Sequence, residues 1–136
     1  GWGKVGLLVC YGIIRDRQPV DRRERPRFIF NPSNDAWFGA WGPPQHFAQA
    51  RLRAAEEGLP VIRSTPTGIS GVIDARGRTL ASLPWRTAGV IDTSLPAATA
   101  PTLFARYGNW LPMLLAFGLL ITAIVLDVRR RYRTAI

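Results

Sequence analysis

Apolar residues first gather at Val5 to Val9 (VGLLV), a short run bounded by Gly3 and Cys10 that reads as a buried strand. The polar, arginine-rich stretch from Tyr11 to about Glu24 predicts a helix interrupted at Pro19. Arg27 to Phe30 (RFIF) predicts a second buried strand, and Asn31 to Gly42, rich in Asn, Pro, Gly and aromatics, a loop. Pro43 or Pro44 opens a helix that runs to about Glu57, stopped by Gly58 and Pro60. Its Phe47, Ala50, Ala54 and Ala55 follow the spacing of one buried face. Val61 to Ser64 reads as a third strand. Gly71 to Asp74 and Thr79 to Leu83 flank Ala75-Arg76-Gly77-Arg78 as a tight hairpin, and Ala88 to Asp92 reads as a last strand. Ser94 to Ala105 is a Pro- and Ala-rich linker. Strands alternating with helices and ending in a hairpin predict α/β or α+β sheet layers.

The hydrophobic pattern changes at Asn109. From there to Leu126 (NWLPMLLAFGLLITAIVL) 18 residues carry no charge. As a helix they span about 27 Å, close to the hydrocarbon thickness of a bilayer. Tyr107 and Trp110 stand at one end, where interfacial aromatics belong, and Arg129, Arg130, Arg131 and Arg133 at the other. Pro112 falls in the first turn, where a missing N–H costs little. A buried core helix has the same composition, but the arginine cluster favours a membrane span. The positive-inside rule then places the tail in the cytoplasm and residues 1 to about 108 across the membrane. GWGKVGLLVC is too short, and lacks the cleavage pattern, for a signal peptide.

Composition narrows the class. With 47% hydrophobic residues in 136, an intrinsically disordered chain is excluded. The net charge is +9, and Lys4 is the only lysine among 18 basic residues. Such a balance calls for an anionic neighbour, nucleic acid or a lipid surface. No stacking or groove-reading motif is present, and the terminal span argues against nucleic acid. Arg15, Arg17, Arg22, Arg23, Arg25 and Arg27, opposed by Asp16, Asp21 and Glu24, form either a solvated face or a surface for anionic headgroups. One cysteine excludes a disulfide scaffold, and one Cys with one His excludes a structural zinc site. No metal or cofactor is expected.

Three features carry candidate chemistry. Cys10 ends the first strand where a helix is expected to begin. Such a turn projects a side chain out of the sheet, leaves the following N–H groups free for a developing oxyanion, and lowers a thiol's pKa. A lone cysteine after an apolar strand is equally a buried structural thiol. Asn31 to Trp41, with Trp37, Phe38 and Trp41 among small residues, is either a packed loop or the wall of a cleft, ordered through side-chain bonds of Asn34 and Asp35 to backbone. His46, near a helix start, reads as structural.

The run Leu7-Leu8-Val9-Cys10-Tyr11, followed by Ser33-Asn34-Asp35-Ala36-Trp37-Phe38-Gly39, resembles the nitrilase superfamily of carbon-nitrogen hydrolases. The resemblance is closest to its membrane-bound branch, the bacterial apolipoprotein N-acyltransferases. Gly42-Pro43, Gln45-His46-Phe47, Ala50-Arg51-Leu52-Arg53-Ala54, Arg63-Ser64-Thr65, Thr67-Gly68-Ile69-Ser70 and Tyr107-Gly108-Asn109-Trp110 continue it in order over essentially the whole chain. It implies that Cys10 takes an acyl chain from a phospholipid as a thioester and passes it to the N-terminal amine of a diacylglyceryl-lipoprotein, with Tyr11 beside the nucleophile. Asn34, Asp35, Trp37 and Phe38 are the remaining candidates around the site.

The family's catalytic Glu and Lys lie upstream of its cysteine. Only nine residues precede Cys10, none is Glu, and Lys4 is too near Cys10 to be the family lysine. The family's N-terminal membrane helices have no counterpart here, and Gly12 stands where the family carries Glu. The resemblance therefore implies the C-terminal part of an α-β-β-α nitrilase-like sandwich followed by one C-terminal transmembrane helix. Residues 1–93 would be a partial periplasmic domain, 94–108 a linker, 109–127 the span and 128–136 a cytoplasmic basic tail, in a bacterial inner membrane. The partners implied are a phospholipid donor, a lipoprotein acceptor and the membrane. An inactive membrane-anchored remnant and an amidase-like C–N hydrolase are the alternatives.

Overall fold

The computed structural model describes residues 3–14 and 23–134. Five strands form one mixed sheet in chain order: β1 (Val5–Leu7), β2 (Phe28–Pro32), β3 (Val61–Ser64), β4 (Ser70–Ile73) and β5 (Thr79–Leu83). The first three run parallel, and β3, β4 and β5 pair antiparallel. The parallel step from β2 to β3 is made by helix α1 (Gly42–Glu57), as a parallel crossover requires. Pro43 and Pro44 occupy its first turn, and Gly58 closes it in the left-handed region at φ 66°, donating its N–H to the Ala54 carbonyl.

Alternation along the strands decides which residues meet α1. Leu8, Ile29, Val61 and Ile73 turn to the helix and join Ile13, Ala50, Ala54 and Leu59 in the core, with Phe47 packed against it. Val5 and Leu7, paired with Phe28 and Phe30, lie on the opposite face, and Val5 and Leu7 are exposed there. The β4–β5 hairpin forms as the sequence predicts. Asp74 closes it, accepting from the backbone N–H groups of Arg76 and Arg78 at 2.9 Å each and from the Arg78 guanidinium at 2.7 Å.

Three expectations are revised. The segment after Cys10 is a single 3-10 turn, Cys10–Ile13, and the rest of the expected Tyr11–Glu24 helix, with Arg15, Arg17 and Arg22, lies largely outside the described residues. Ala88–Asp92 forms no strand: Val90 is exposed and no ladder partner faces it. Arg25, read as part of a charged surface, is instead a staple. Its guanidinium donates to the carbonyls of Glu57, Gly58 and Thr99, tying the end of α1 to the following segment. Burial lowers its pKa, and nearby Glu57 partly offsets this.

The linker holds a short helix, α2 (Leu103–Tyr107), capped by Thr102, whose hydroxyl accepts from the Ala105 N–H at 3.0 Å. Helix α3 then runs from Trp110 to Thr134, so the helix continues through the arginine-rich segment. Its 22-residue segment Trp110–Arg131 is long and apolar enough to cross a membrane, and none of its apolar window is buried against the rest of the chain. Thr122 returns its hydroxyl to the Gly118 carbonyl, and Asp127 pairs with Arg131 one turn on.

Candidate active site

Cys10 sits at the C-terminal end of β1 with φ 47°, in the left-handed region. A residue with a Cβ pays about 1–2 kcal/mol for that conformation, which persists only where the surroundings over-determine it. The thiol is half-buried. Backbone bonds close the turn: Leu8 N–H to Phe30 O at 2.9 Å, Gly12 N–H to Val9 O at 2.9 Å and Ile14 N–H to Tyr11 O at 3.0 Å. The Gly12 N–H is thus already committed, and one 3-10 turn is too short to supply a helix dipole, so two supports expected for a thiolate at this turn are weaker than the sequence suggests.

Tyr11, next to Cys10 in the chain, stacks on His46, with ring centroids 5.6 Å apart and planes 26° apart. Phe38 meets Tyr11 edge-on at 5.7 Å and His46 at 6.3 Å. Phe38 also lines two hollows, one of about 170 Å³ shared with Tyr11, Gln45 and His46, and one of about 310 Å³ shared with Thr67, Trp85 and Arg86. The Arg86 guanidinium lies 4.3 Å over the Trp85 ring. The loop after β2 therefore forms a wall beside the thiol's turn through Phe38. Trp37 does not join it: it is 85% exposed, as Trp41 is 83% exposed.

Beneath the aromatic group lies a buried polar chain. Asn31 and Arg63 are register partners on adjacent parallel strands, and Asn31 accepts from Arg63 Nη1. Arg63 Nη2 donates to both Asp35 oxygens, at 2.9 and 2.7 Å, and Nε donates to the Ile69 carbonyl at 3.3 Å. Asp35 also accepts from Ser33 at 3.1 Å and from the His46 Nδ1–H at 2.8 Å. Burial alone would raise the Asp35 pKa; the Arg63 bonds and charge, with His46, outweigh it and hold the carboxyl below the ordinary aspartate value. Asp35 is therefore an ionised counter-charge and no proton donor at neutral pH. Gly68 packs against it so closely that a Cβ there would collide with the carboxylate.

The candidates thus separate. Tyr11, Phe38 and Asp35 gather around His46, and Cys10 and Gly12 share the turn that carries Tyr11. Asn34 orders the loop as expected, its side-chain oxygen accepting from the Ala36 N–H at 3.0 Å and the Thr67 hydroxyl at 2.8 Å. His46, read as structural, is buried and belongs to the polar chain; its Nε2 has no partner among the described residues. Asn31 and Arg63 were named only as parts of the Asn31–Trp41 loop and the Arg63-Ser64-Thr65 run, with no role given to either. The available signal was a fork-shaped cation within an apolar strand, which demands a buried anion. Among the described residues no group of three or more His, Cys, Asp or Glu is placed to hold a metal ion.

A half-buried thiol on a strained turn, an aromatic wall and an adjoining parallel sheet are an arrangement suited to covalent acyl chemistry. The chain belongs to the carbon-nitrogen hydrolase family, whose model matches residues 1–102. Among curated proteins it is 51% identical over 125 residues to the apolipoprotein N-acyltransferase of Bradyrhizobium diazoefficiens, covering 91% of this chain and 22% of that protein. It is 43% identical over 123 residues to the protein of the same name from Rhodopseudomonas palustris, covering 90% and 23%. Against that of Rickettsia bellii it is 36% identical over 126 residues, covering 91% and 25%. The chain thus spans between a fifth and a quarter of the length of these relatives.

Proposed function

We propose that this chain carries the nucleophile-bearing part of a membrane-bound acyltransferase that N-acylates lipoproteins. The Cys10 thiolate attacks the carbonyl carbon of a phospholipid ester; the C–O bond breaks, the lysophospholipid leaves with a proton, and a thioester stands on Sγ. The N-terminal amine of a diacylglyceryl-lipoprotein then attacks the thioester carbonyl, loses its proton and releases the thiolate. Tyr11 and Phe38 border the acyl group as it arrives, and Gly12 stands beside the nucleophile. The observation that carries this reading is the position of Cys10, strained and half-buried at the C-terminal end of a parallel strand. The names of the relatives support the choice of acyl transfer over hydrolysis.

The remaining assignments form one picture with it. Helix α3 crosses the inner membrane, with the arginines after Leu126 in the cytoplasm and the sheet on the periplasmic side. The exposed apolar side of the sheet, with Val5 and Leu7, faces the second sheet of an α-β-β-α sandwich. The test replaces the matching segment of the full-length Bradyrhizobium relative with this chain and supplies labelled phospholipid. Hydroxylamine-sensitive label on the chimaera, absent after Cys10→Ala and nearly absent after Cys10→Ser, is the expected result. Label persisting on the Ala variant removes Cys10 from the mechanism.

A further inference from the structure

We propose that Asn31, held by Arg63, is a positioning residue that fixes the Cys10 turn for attack; the proposal rests on the assignment of Cys10 as nucleophile. Its carboxamide nitrogen reaches two carbonyls of the turn, donating to Leu8 O and lying 3.5 Å from Cys10 O. These two carbonyls flank the residue whose backbone is left-handed. An amide NH2 has two hydrogens and can serve both.

The amide is itself held from behind. Arg63 donates to the Asn31 side-chain oxygen, which fixes the nitrogen toward the turn. Arg63 is in turn anchored by both oxygens of Asp35 and by the Ile69 carbonyl. Asn31, Asp35 and Arg63 are 0%, 1% and 2% exposed. Apolar residues at these positions would fill the sheet–helix layer without the desolvation cost of a buried ion pair, so stability alone is a weak reason for the arrangement. What apolar residues could not supply is a donor aimed at the backbone of the turn. The chain Asp35–Arg63–Asn31 carries that aim across three adjacent strands to the carbonyl of the nucleophile itself.

Asn31→Asp separates positioning from folding. It keeps the shape and the acceptor for Arg63 but removes both donors to the turn. In the chimaera, single-turnover thioester formation at saturating phospholipid should fall at least tenfold, while the KM for phospholipid stays within twofold and the melting temperature falls less than in Asn31→Ala, because the bond from Arg63 is kept. A thioester rate within twofold of the parent overturns the proposal. Asn31→Ala should lose both rate and stability. A second readout is independent of acyl transfer. In the 136-residue chain, whose only thiol is Cys10, iodoacetamide alkylation should change at least threefold in Asn31→Asp. Equal alkylation rates overturn the positioning claim even if the chimaera is inactive; an inactive parent chimaera with an altered alkylation rate overturns the acyl-transfer reading and leaves Asn31 as the residue that sets the turn.

Discussion

Replacing Arg63 by Met tests the buried network through its energetics. The side chains of Arg63 and Asp35 are both fully buried, and the substitution deletes the bonds to both Asp35 oxygens, to Asn31 and to the Ile69 carbonyl while retaining most of the volume. It leaves a carboxylate in the sheet–helix layer with only Ser33 and His46 as donors. Breaking a buried pair on one side costs about 3–5 kcal/mol. The sign of the pH dependence follows from Asp35. In the parent its pKa is lowered, so its contribution is present above the ordinary aspartate value and is lost as pH falls through the folded value. Without Arg63, burial dominates and raises the folded pKa above the ordinary value; the protonated form is then favoured, and stability is lost as pH rises through the raised value. The deficit should therefore be largest near pH 7 and shrink toward about pH 4–5. Urea unfolding in detergent micelles at both pH values, followed by tryptophan fluorescence, measures it. Adding Asp35→Asn to Arg63→Met should restore part of the loss, because the orphaned charge is gone. A deficit below about 1 kcal/mol at pH 7, or one equal at both pH values, would refute the assignment of Arg63 as the counter-ion that keeps Asp35 ionised.

Gly12→Glu should raise thioester formation in the chimaera at least tenfold: a Cβ there meets Leu8 carbons at 3.7 and 3.8 Å, ordinary contact, so a side chain is accommodated beside the nucleophile. Equal rates would show that the glycine is no lesion, and Gly12→Gln distinguishes charge from side-chain bulk. A reporter active only in the cytoplasm, fused after Ile136, should work in cells, whereas signal from a periplasm-only reporter at the same place would reverse the proposed orientation of α3.

Strands β2 and β3 and helix α1 could be read from the sequence because each buries one face, and a buried face imposes its period on the residues; β5, with no buried residue, was legible from the turn that precedes it. The same rule failed at Ala88–Asp92, where an apolar spacing occurs without a neighbouring strand to bond, leaving Val90 exposed. Tyr11, Phe38 and Asp35 were named because they lie in recognisable runs, and the structure gathers them around His46. Asn31 and Arg63 were given no role, because their importance depends on a register: only when β2 pairs β3 with Asn31 opposite Arg63 does a strand arginine meet a strand amide. His46 is structural, as read, but its place in the polar chain was hidden for a related reason. Its partner Asp35 is eleven residues earlier on a loop, and no helical or strand period links them.

Helix α1 connects the two halves of this picture. At its N-terminal end His46 touches Asp35 and Tyr11, next to the Cys10 turn. At its C-terminal end the carbonyls of Glu56, Glu57 and Gly58 are taken by Thr102, Arg25 and Thr99, all of which hold or belong to the segment that leads into α2 and α3. Carbonyls that would otherwise be left open at a helix end thus become attachment points for the apolar helix. The 16 residues of α1 span about 24 Å. The candidate site and the segment leading into α2 and α3 are therefore joined by a rigid rod. If α3 is embedded in lipid, the direction of α1 relative to the bilayer fixes how high the Cys10 turn stands above it. An α1 lying along the membrane surface keeps the thiol at the height of lipid esters, whereas an upright α1 lifts it one rod length into water. Acyl transfer from a phospholipid requires the first arrangement.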